Sequence, residues 1–557
     1  MKGNNRNEDF NVLTTAVTPY TNQDGIHYER PPLYSLQSDI ELMTGTTKNS
    51  KKVDHGANTN INDLEIAEEV ESPNILDVDL KLIWSFRKVI LLSGIISFSG
   101  FLFGWDTGVI GGIIQMDSFL SKLGYPKPGL EPGSIVYELK SYQTGLIVSG
   151  YHIGCIIGGF TIGRLSSYLG RKKPILIAMG VYITGIIVQI TTSLTGKWYQ
   201  FLIGRAINGL CIGSIAVLTP MFISETAPTA IRGSCTALYQ INIASAILYG
   251  AIAVYACKEM YSNESEWIVP LSIGIAAALT VCVGIFFTPE SARYLVSIGE
   301  YDKARASLRK VGDPNVERQL ELLQAKIRVD NQASKTPFSF VFHKQFRKRV
   351  FIGVSLMTFQ QMSGVDYFFY YGTTLFKIAG VSDSYVTMIV LATVNAPISL
   401  FGIYIVEKLG RKKTLLIGAA LATTCLFIYS IVGTLKIDKD SLDPSVNRVP
   451  GIIMIVFTCF YFISFAPTWG TSVSVLVSEL YPIHIKSHGI ALATAFNWGS
   501  NFFIGFCTPI ITDRIGYAFG FVFTGCMFLS FWVILFFVPE TQGVSLEEID
   551  TLFEKNG

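Results

Sequence analysis

The chain has 557 residues, of which half are hydrophobic and only 15% are charged, and its formal net charge is +2. A soluble domain usually carries about a quarter charged residues, so this composition indicates a protein embedded in lipid. The nearly balanced charge argues against a nucleic-acid partner, because nucleic-acid binding requires a strongly basic surface.

Residues 1–80 form a polar segment rich in Asn, Asp, Thr, Glu and Lys. This composition cannot bury enough apolar surface to fold alone, so we predict a disordered cytoplasmic N-terminal tail, with ubiquitin and trafficking machinery as candidate partners. The segment also lacks the apolar stretch of a cleavable signal peptide. The first membrane span is therefore expected to act as the insertion signal.

Long apolar segments follow this tail, and each approaches or exceeds the roughly 20 residues that a helix needs to cross a bilayer. Residues 89–116, 174–194, 269–288 and 519–538 are examples. The remaining chain, scanned in the same way, brings the total to about twelve spans, which predicts an all-α integral membrane protein in a lipid bilayer. Basic residues gather on one side, so the positive-inside rule places those loops and both termini in the cytoplasm.

The longest loop of the membrane region, residues 289–349, is charged and helix-favouring. We predict a cytoplasmic linker there, with short helices over 302–311 and 316–327. The sequon Asn263-Glu-Ser precedes the sixth span on the opposite face, which makes Asn263 a candidate glycosylation site. Nine cysteines lie mostly in apolar helices without a paired spacing. We therefore expect neither disulfides nor a metal site, and no cofactor.

Three short polar motifs occur twice in the same order, which indicates an internal repeat. Gly-Arg-Lys-Lys at 170–173 returns 240 residues later at 410–413, Glu225-x-x-Pro-x-x-x-Arg232 returns 254 residues later as Glu479-x-x-Pro-x-x-x-Lys486, and Pro289-Glu-Ser returns 250 residues later as Pro539-Glu-Thr. We therefore predict two six-helix halves, residues 81–288 and 350–540, followed by a short cytoplasmic tail at 541–557. Two such halves with a site at their interface are typical of alternating access.

The repeated motifs, with Pro289-Glu-Ser-Ala-Arg-Tyr-Leu295 and Pro539-Glu-Thr-Gln-Gly543, resemble the sugar porter family of the major facilitator superfamily over about 460 residues. Three further segments are most similar to yeast hexose transporters: Gly104-Trp-Asp-Thr-Gly-Val-Ile110, Lys197-Trp-Tyr-Gln200 and Asp366-Tyr-Phe-Phe-Tyr-Tyr-Gly372. The resemblance implies the major facilitator fold with 12 transmembrane helices, in a multi-pass protein of the fungal plasma membrane. It also implies a carrier for a monosaccharide, a hexose before other sugars, that works by alternating access.

The resemblance further implies a gate of charged residues at the cytoplasmic mouth that stabilises the outward-open state. The residues at matching positions are Arg171, Arg205, Glu225, Arg232, Glu290, Arg293, Glu407, Arg411, Glu479 and Glu540. The alternative is that these charges only fix the topology and solvate helix ends. Ser167 stands where the family has an acidic residue, which predicts a weaker gate in the first half.

A sugar site inside lipid requires amides for the hydroxyls and aromatic rings for the C–H face of the sugar. The positions that match the substrate contacts of the family are Gln240, Gln360, Gln361, Asp366, Tyr370, Tyr371, Asn395, Trp469, Asn497 and Trp498. Tyr370 and Tyr371 resemble the outer gate. The alternative is that such amides hold helices together, as they often do in membrane bundles.

Two positions depart from the pattern of hexose carriers. Asp366 replaces an Asn, which removes a donor and adds a possible charge, and Ser474 replaces an aromatic residue, which removes a stacking face. A different sugar, a polyol or a bulkier substrate therefore remains an alternative to glucose.

Asp106 in the first span is an ionisable group at membrane depth and a candidate proton site. In bacterial relatives the matching Asp, near an Arg that corresponds to Arg205, takes up the coupling proton. Yeast facilitators carry the same Asp, so we expect facilitated diffusion, with a proton-coupled sugar or polyol symporter as the alternative. His152 in the second span is expected to be a hydrogen-bonded structural histidine.

A sugar sensor is the alternative from another functional class, because some yeast relatives signal through a long C-terminal tail. The chain ends at Gly557, soon after Pro539, which favours a carrier. An enzyme is not expected, since the loops show no Walker-type phosphate loop, metal-ligand cluster or nucleophile elbow.

Overall fold

The computed structural model describes residues 20–21, 27–28, 86–128, 135–228, 231–312, 315–333, 337–378, 384–437, 444–482 and 485–542. The chain divides into two compact units, Met1–Glu71 and Ser72–Gly557. In the first unit, β1 (Tyr20–Thr21) pairs antiparallel with β2 (His27–Tyr28). The rest of the predicted tail of residues 1–80 lies outside the described residues, and so does the predicted C-terminal tail beyond residue 542.

The first half of the membrane region consists of long helices joined by short loops. Its elements are α1 (Arg87–Ser97), α2 (Ser99–Ile113), α3 (Asp117–Leu123), β3 (Tyr125–Pro128), β4 (Ile135–Glu138), α4 (Ser141–Leu169), α5 (Lys172–Ile190), α6 (Thr192–Thr195), α7 (Trp198–Thr226), α8 (Arg232–Met260) and α9 (Ser265–Phe287). β3 and β4 form an antiparallel hairpin that precedes α4. The consecutive helices α1 and α2 together make the first span.

The linker contains three helices, α10 (Ala292–Ser297), α11 (Tyr301–Val311) and α12 (Val316–Ala333), and two short 3-10 turns, Phe338–Phe342 and Lys344–Phe346. The two predicted linker helices are present and α12 is longer than expected, whereas α10 was not predicted. Ser291 caps α10, because its hydroxyl accepts a hydrogen bond from the Tyr294 amide at 3.2 Å. Arg305 joins α11 to α12 through two bonds to Glu317, and this contact lowers the pKa of Glu317.

The second half repeats the pattern of long helices. Its elements are α13 (Arg347–Gln361), α14 (Val365–Ile378), α15 (Ser384–Leu409), α16 (Arg411–Lys436), α17 (Pro444–Phe465), α18 (Trp469–Leu480), α19 (Lys486–Ile515), a 3-10 turn (Gly516–Phe519) and α20 (Gly520–Phe537).

Ten helical stretches among the described residues are long and apolar enough to cross a membrane. The last of these, Lys486–Phe537, contains both α19 and α20, so it counts as two spans. The pair α13 and α14 adds one more span, which is interrupted between its two helices. Twelve spans result, as the sequence predicts.

The interruption between α13 and α14 has a local cause. Gly364 adopts a φ of 90°, a left-handed conformation that ends a helix and that residues with a Cβ rarely adopt. A Cβ at Gly364 would also lie 3.0 Å from the Phe523 ring. Because the helix stops there, Gln361 and Asp366 lie at two helix ends that face each other across the break. Broken helices of this kind are tolerated within membranes where they line a binding site.

Small residues allow the helices of the first half to approach closely. A Cβ at Gly209 of α7 would lie 2.0 Å from the Tyr151 carbonyl oxygen of α4, and a Cβ at Gly213 would lie 1.9 Å from that of Cys155. Such distances exclude any side chain, so glycine is required at both positions. Close backbone packing of this type replaces the hydrophobic driving force, which is absent between helices in lipid.

Among the described residues, the most extensive contacts between the two halves are those of α2 with α14, α4 with α19, and α8 with α15. We call the end of the bundle with the loops at 170–172 and 410–412 the basic end, and the end with β3 and β4 the hairpin end. Close contacts between the halves lie toward the hairpin end. There the Ser141 hydroxyl bonds to Asp513, and a Cβ at Gly145 would lie 2.5 Å from the Phe506 carbonyl oxygen.

Candidate functional site

Three amide side chains meet where the broken span faces α19. Gln361 Nε2 donates to Asn497 Oδ1 at 3.0 Å, and Asn497 Nδ2 donates to Gln360 Oε1 at 3.0 Å. Asn497 Nδ2 also lies 3.1 Å from the Met357 carbonyl oxygen, which is a helix-end acceptor. All three amides are half-buried, so part of each side chain is accessible to a solute.

A second polar group lies one turn further along α19. Asn501 follows Asn497 by four residues, which places both on one face of the helix, and its side chain lies beside the Asp366 carboxyl group. Asp366 is 8% exposed and lies in the first turn of α14. Another turn along, the Gly505 carbonyl oxygen accepts a bond of 2.5 Å from the Tyr371 hydroxyl. One face of α19 therefore faces α13 and α14 with polar groups at three successive turns.

An aromatic group joins this face to the first half. The Trp498 ring centroid lies 5.7 Å from that of Phe103 and 6.0 Å from that of His152. His152 Nε2 lies 3.2 Å from the Tyr370 hydroxyl oxygen, and Nδ1 lies 3.2 Å from the Ser149 carbonyl oxygen. The prediction of a hydrogen-bonded histidine is confirmed, and one of its two bonds crosses between the halves.

Gln240, Asn395 and Ser474 lie apart from the three amides. Gln240 shares a face of α8 with the buried residues Ala244 and Ile247, but its own side chain is exposed. It lies eight residues from the basic end of α8. Asn395 is 9% exposed on α15, and Ser474 is exposed on α18. In the described chain, none of the three hydrogen bonds to Gln360, Gln361 or Asn497.

Trp469 does not present its side chain to an open space. The ring is fully buried and its Nε1 donates to the Leu415 carbonyl oxygen at 3.2 Å. The backbone carbonyl oxygen of Trp469 accepts from Gln360 Nε2 at 2.9 Å. In this structure Trp469 therefore positions Gln360, whereas the resemblance implies a direct substrate contact.

Asp106 and Arg205 form an ion pair inside the first half. Arg205 NH1 lies 2.7 Å from Asp106 Oδ2, and the side chains are 2% and 1% exposed. Arg205 also donates to the Ile147 carbonyl oxygen at 3.3 Å, and its guanidinium lies over the Tyr151 ring at 4.6 Å. The pair is enclosed by α2, α4 and α7 and lies away from the amides of the second half.

The placement of Arg205 with the gate at the cytoplasmic mouth is wrong. Arg205 precedes Glu225 by 20 residues on α7, which corresponds to about 30 Å along the helix axis. Its partner Asp106 is equally remote from the basic end. This spacing along α7 separates Arg205 from the contact network built around Glu225.

The loop of the first half forms a compact group, the first charge cluster, made by Arg171, Glu225 and Glu290. Arg171 binds Glu225 through two bonds of 2.7 and 2.6 Å. The Glu290 carboxylate accepts from the Arg171 amide at 2.9 Å and from the Lys172 amide at 3.3 Å. A bidentate arginine contact is among the stronger charge-assisted bonds in proteins.

The second half contains the same arrangement, the second charge cluster, made by Arg411, Glu479 and Glu540. Arg411 NH2 binds Glu479 Oε1 at 2.9 Å, and the Glu540 carboxylate accepts from the amides of Arg411 and Lys412 at 2.9 and 3.1 Å. The six residues thus form two equivalent clusters, one in each half. Each cluster connects helices of its own half, and neither joins the two halves across the mouth in the described residues.

The contacts do not indicate a weaker first cluster, and the expectation about its strength stays a prediction. Arg171 makes two bonds to Glu225, and these side chains are 11% and 4% exposed, whereas Arg411 makes one bond to Glu479 and these are 18% and 24% exposed. Ser167 bonds to the Arg164 carbonyl oxygen at 2.9 Å and takes no part in the cluster.

Three remaining gate candidates lie at the edges of the clusters. Arg232 Nε contacts the Ala227 carbonyl oxygen at 3.4 Å, and Arg293 lies close enough to Arg232 for the two charges to interact. Glu407 has an exposed side chain, and its carbonyl oxygen accepts from Gln542 Nε2 at 2.5 Å. Whether these residues form a gate stays a prediction.

Asn263 lies at the hairpin end in the loop between α8 and α9. Its side chain is exposed, and its Oδ1 accepts a bond of 3.0 Å from the Ser265 amide. This contact leaves the amide nitrogen directed away from the backbone. Glycosylation at Asn263 stays a prediction.

Asn501 is the member of this site that the sequence did not single out. The sequence does contain a signal, because Asn497 and Asn501 are spaced by four residues in the largely apolar middle of the helix. Polar residues at this spacing share a face, and that face has to meet polar partners inside a membrane.

Comparison with known proteins identifies the family. The family described as "Sugar (and other) transporter" matches residues 92–553. The Saccharomyces cerevisiae protein named "Hexose transporter HXT10" is 40% identical over 487 residues, which cover 86% of this chain and 88% of that protein. "Hexose transporter 2" of Kluyveromyces lactis is 38% identical over 535 residues, which cover 92% of this chain and 93% of that protein.

Solved structures agree with this assignment. The E. coli proton:xylose symporter XylE bound to 6-bromo-6-deoxy-D-glucose has a TM-score of 0.68 and 26% identity, with 84% of this chain and 99% of that chain covered. The inward open conformation of XylE has a TM-score of 0.69 and 24% identity, with 83% and 99% covered, and shows the shared fold. The chain is a multi-pass membrane protein that belongs to the sugar porter family of the major facilitator superfamily.

Proposed function

We propose that the chain carries a monosaccharide, with a hexose as the first candidate, across a membrane by alternating access and facilitated diffusion. The observation that carries this proposal is the amide group of Gln360, Gln361 and Asn497 at the break of α13 and α14. Amides that both donate and accept are suited to sugar hydroxyls, which do the same. The curated relatives are named as hexose and glucose transporters.

The contacts between the halves support alternating access. At the hairpin end, α4 meets α19 and the His152–Tyr370 bond crosses the interface. At the basic end, each charge cluster is complete within its own half. Two halves that are each held together by internal contacts can rock as rigid bodies about a site between them.

The charge clusters are proposed to keep the loops of each half in shape during this movement. Arg171, Glu225 and Glu290 hold the ends of α4, α7 and α9 together, and Arg411, Glu479 and Glu540 do the same in the second half. Arg232, Arg293 and Glu407 lie beside these groups and are candidates for contacts that form when the basic end closes.

Proton-coupled symport is the second candidate. Two observations favour it. Asp106 is a buried carboxyl group paired with Arg205, and one structural neighbour with an equivalent fold is a proton:xylose symporter. Asp366 is a second buried carboxyl group near the amides. Uptake that a protonophore abolishes would favour symport, and uptake that stops at equal concentrations on both sides would favour facilitated diffusion.

The same relatives support a proposal for the location. We propose the plasma membrane of a fungal cell, with the basic end in the cytoplasm, since basic loops favour that side. Ubiquitin and trafficking machinery remain proposed partners of the N-terminal tail. A sensor in place of a carrier is the competing proposal, and it predicts sugar binding without net transport.

The site assignment is tested by uptake of radiolabelled hexose in cells that lack their own hexose carriers. Gln361→Ala should abolish uptake, because it removes the bond to Asn497 and an amide of the proposed site, while the amount of protein in the membrane stays unchanged. Gln319→Ala in the linker helix α12 is the matched control and should transport normally. Full uptake by Gln361→Ala would reject the site.

A further inference from the structure

The polar atoms around the break are unequally supplied with partners. The side-chain nitrogens of Gln360, Gln361 and Asn497 already donate to protein oxygen atoms at 2.9 to 3.1 Å. Each amide nitrogen therefore already donates at least one hydrogen bond. Gln360 Nε2 and Gln361 Nε2 each keep a second hydrogen.

Three acceptor atoms in the same region have no hydrogen-bond partner. These are Gln361 Oε1, Asp366 Oδ2 and Asn501 Oδ1, and all three are buried. A buried acceptor without a donor costs free energy of about 1 to 3 kcal/mol, so such atoms usually meet a partner. The site thus contains three acceptors that a donor group of a bound solute can satisfy.

The three acceptors lie within the reach of one monosaccharide. Gln361 bonds to Asn497, and Asn501 lies four residues further along α19, which corresponds to about 6 Å. The Asn501 side chain in turn lies beside the carboxyl group of Asp366. These relations place the three acceptors in one region of the proposed site.

Asp366 also differs from the other buried carboxyl group of the bundle. Asp106 is paired with Arg205 at 2.7 Å, whereas no ion pair reaches Asp366 within the described residues. The titratable groups near Asp366 are Tyr370, Tyr461 and, through Tyr370, His152. The first turn of α14 favours a negative charge at this position, because the helix dipole is positive at its N-terminus.

A neutral sugar hydroxyl donates one hydrogen, whereas a protonated amine donates three and carries a positive charge. We infer that this carrier prefers an amino sugar, whose ammonium group binds between Asp366, Asn501 and Gln361. This inference rests on the proposed carrier function and names the substrate class of the same site. The amino group takes the place of the cation that the Asp366 carboxylate lacks.

The test compares competitors of labelled glucose uptake in carrier-deficient cells at about pH 6, where primary amines are protonated. Glucosamine is the probe, and N-acetylglucosamine and 2-deoxyglucose are neutral controls without the ammonium group. Glucosamine should halve glucose uptake at a concentration about tenfold lower than that of either control, since a hydrogen bond to a charged group is stronger than one between neutral groups. Ratios within one strain cancel differences in the amount of carrier.

Asp366→Asn should reduce the advantage of glucosamine to about onefold, since it removes the negative charge and keeps the shape. Asp302→Asn, which removes an exposed carboxylate of the linker, should keep the advantage. An advantage that persists in Asp366→Asn would overturn the assignment to Asp366.

The outcomes separate this inference from the carrier function. Uptake of glucose with no advantage of glucosamine in the natural chain overturns the inference and leaves the carrier proposal intact. Absence of uptake of both glucose and glucosamine, with the protein present in the membrane, overturns the carrier proposal and the inference with it.

Discussion

His152 Nε2 and the Tyr370 hydroxyl oxygen lie 3.2 Å apart, and this contact joins α4 of the first half to α14 of the second. Both side chains are almost fully buried. A transport cycle that opens the hairpin end has to separate α4 from α14, so this bond has to break once in each cycle. The contact therefore stabilises the state in which the hairpin end is closed.

Tyr370→Phe should shift the carrier toward the state with an open hairpin end. The variant removes one bond between neutral groups, worth about 1 kcal/mol, which changes the ratio of the two states roughly fivefold. Spin labels on cysteines introduced at the exposed positions Tyr142 and Ile515, in a background without reactive native cysteines, report the distance across this end. The fraction of long distances should rise. An unchanged distance distribution would contradict the role of the bond.

Loss of the arginine should destabilise the first charge cluster more than the second. Arg171→Ala removes two bonds to a Glu225 carboxylate that is 4% exposed, and we expect a loss of about 2 kcal/mol. Arg411→Ala removes one bond to a Glu479 carboxylate that is 24% exposed, and we expect about 1 kcal/mol. Thermal unfolding in detergent checks the order, and an equal or reversed loss would contradict it.

Alanine should be poorly tolerated at the two loop glycines. Gly170 and Gly410 have φ of 84° and 85°, and a Cβ would lie 2.5 Å from a Glu290 oxygen and 2.7 Å from a Glu540 oxygen. Each substitution should lower stability by about 1 to 2 kcal/mol or more.

Gly180→Ala is the matched control for the loop glycines. Gly180 lies within α5, where a Cβ would meet no atom within 4 Å, so alanine should be neutral or stabilising by up to about 1 kcal/mol. Thermal unfolding of the three variants side by side gives the comparison. A loss at Gly180 as large as that at Gly170 would show that the strain argument is wrong.

Asp106→Asn should be strongly destabilising, because it leaves the buried guanidinium of Arg205 without its countercharge. The expected loss is about 3 kcal/mol or more. Arg205→Gln in the same chain should recover a large part of that stability, since the double variant contains no buried unpaired charge. Thermal unfolding of the single and double variants measures the coupling. A double variant less stable than Asp106→Asn would contradict this account of the pair.

The sequence predicts the repeat and its loops well, because the residues that define them are local. Gly170 and Gly410 adopt the same backbone conformation, and Glu290 and Glu540 accept hydrogen bonds from equivalent backbone amides. A motif of a few residues that recurs in order contains enough information to predict both clusters. It also predicts the number of spans, since that depends only on runs of apolar residues.

The contents of the site were less predictable, because they depend on how distant helices face one another. The resemblance implies a substrate contact for Trp469, yet its ring is buried against Leu415. Arg205 is charged, like the other gate candidates, but lies about 30 Å from Glu225 along α7. Helical spacing relates Asn501 to Asn497, whereas the contact with Asp366 requires the break at Gly364.

The central claim is that the chain moves a monosaccharide between the two sides of a membrane. The most direct test is uptake of radiolabelled hexose into liposomes that contain the purified protein. The account predicts that the label enters until the inside and outside concentrations are equal, and that Gln361→Ala liposomes stay at the level of empty ones. Liposomes with the natural protein that take up no hexose or amino sugar, although the protein is folded and inserted, would contradict it.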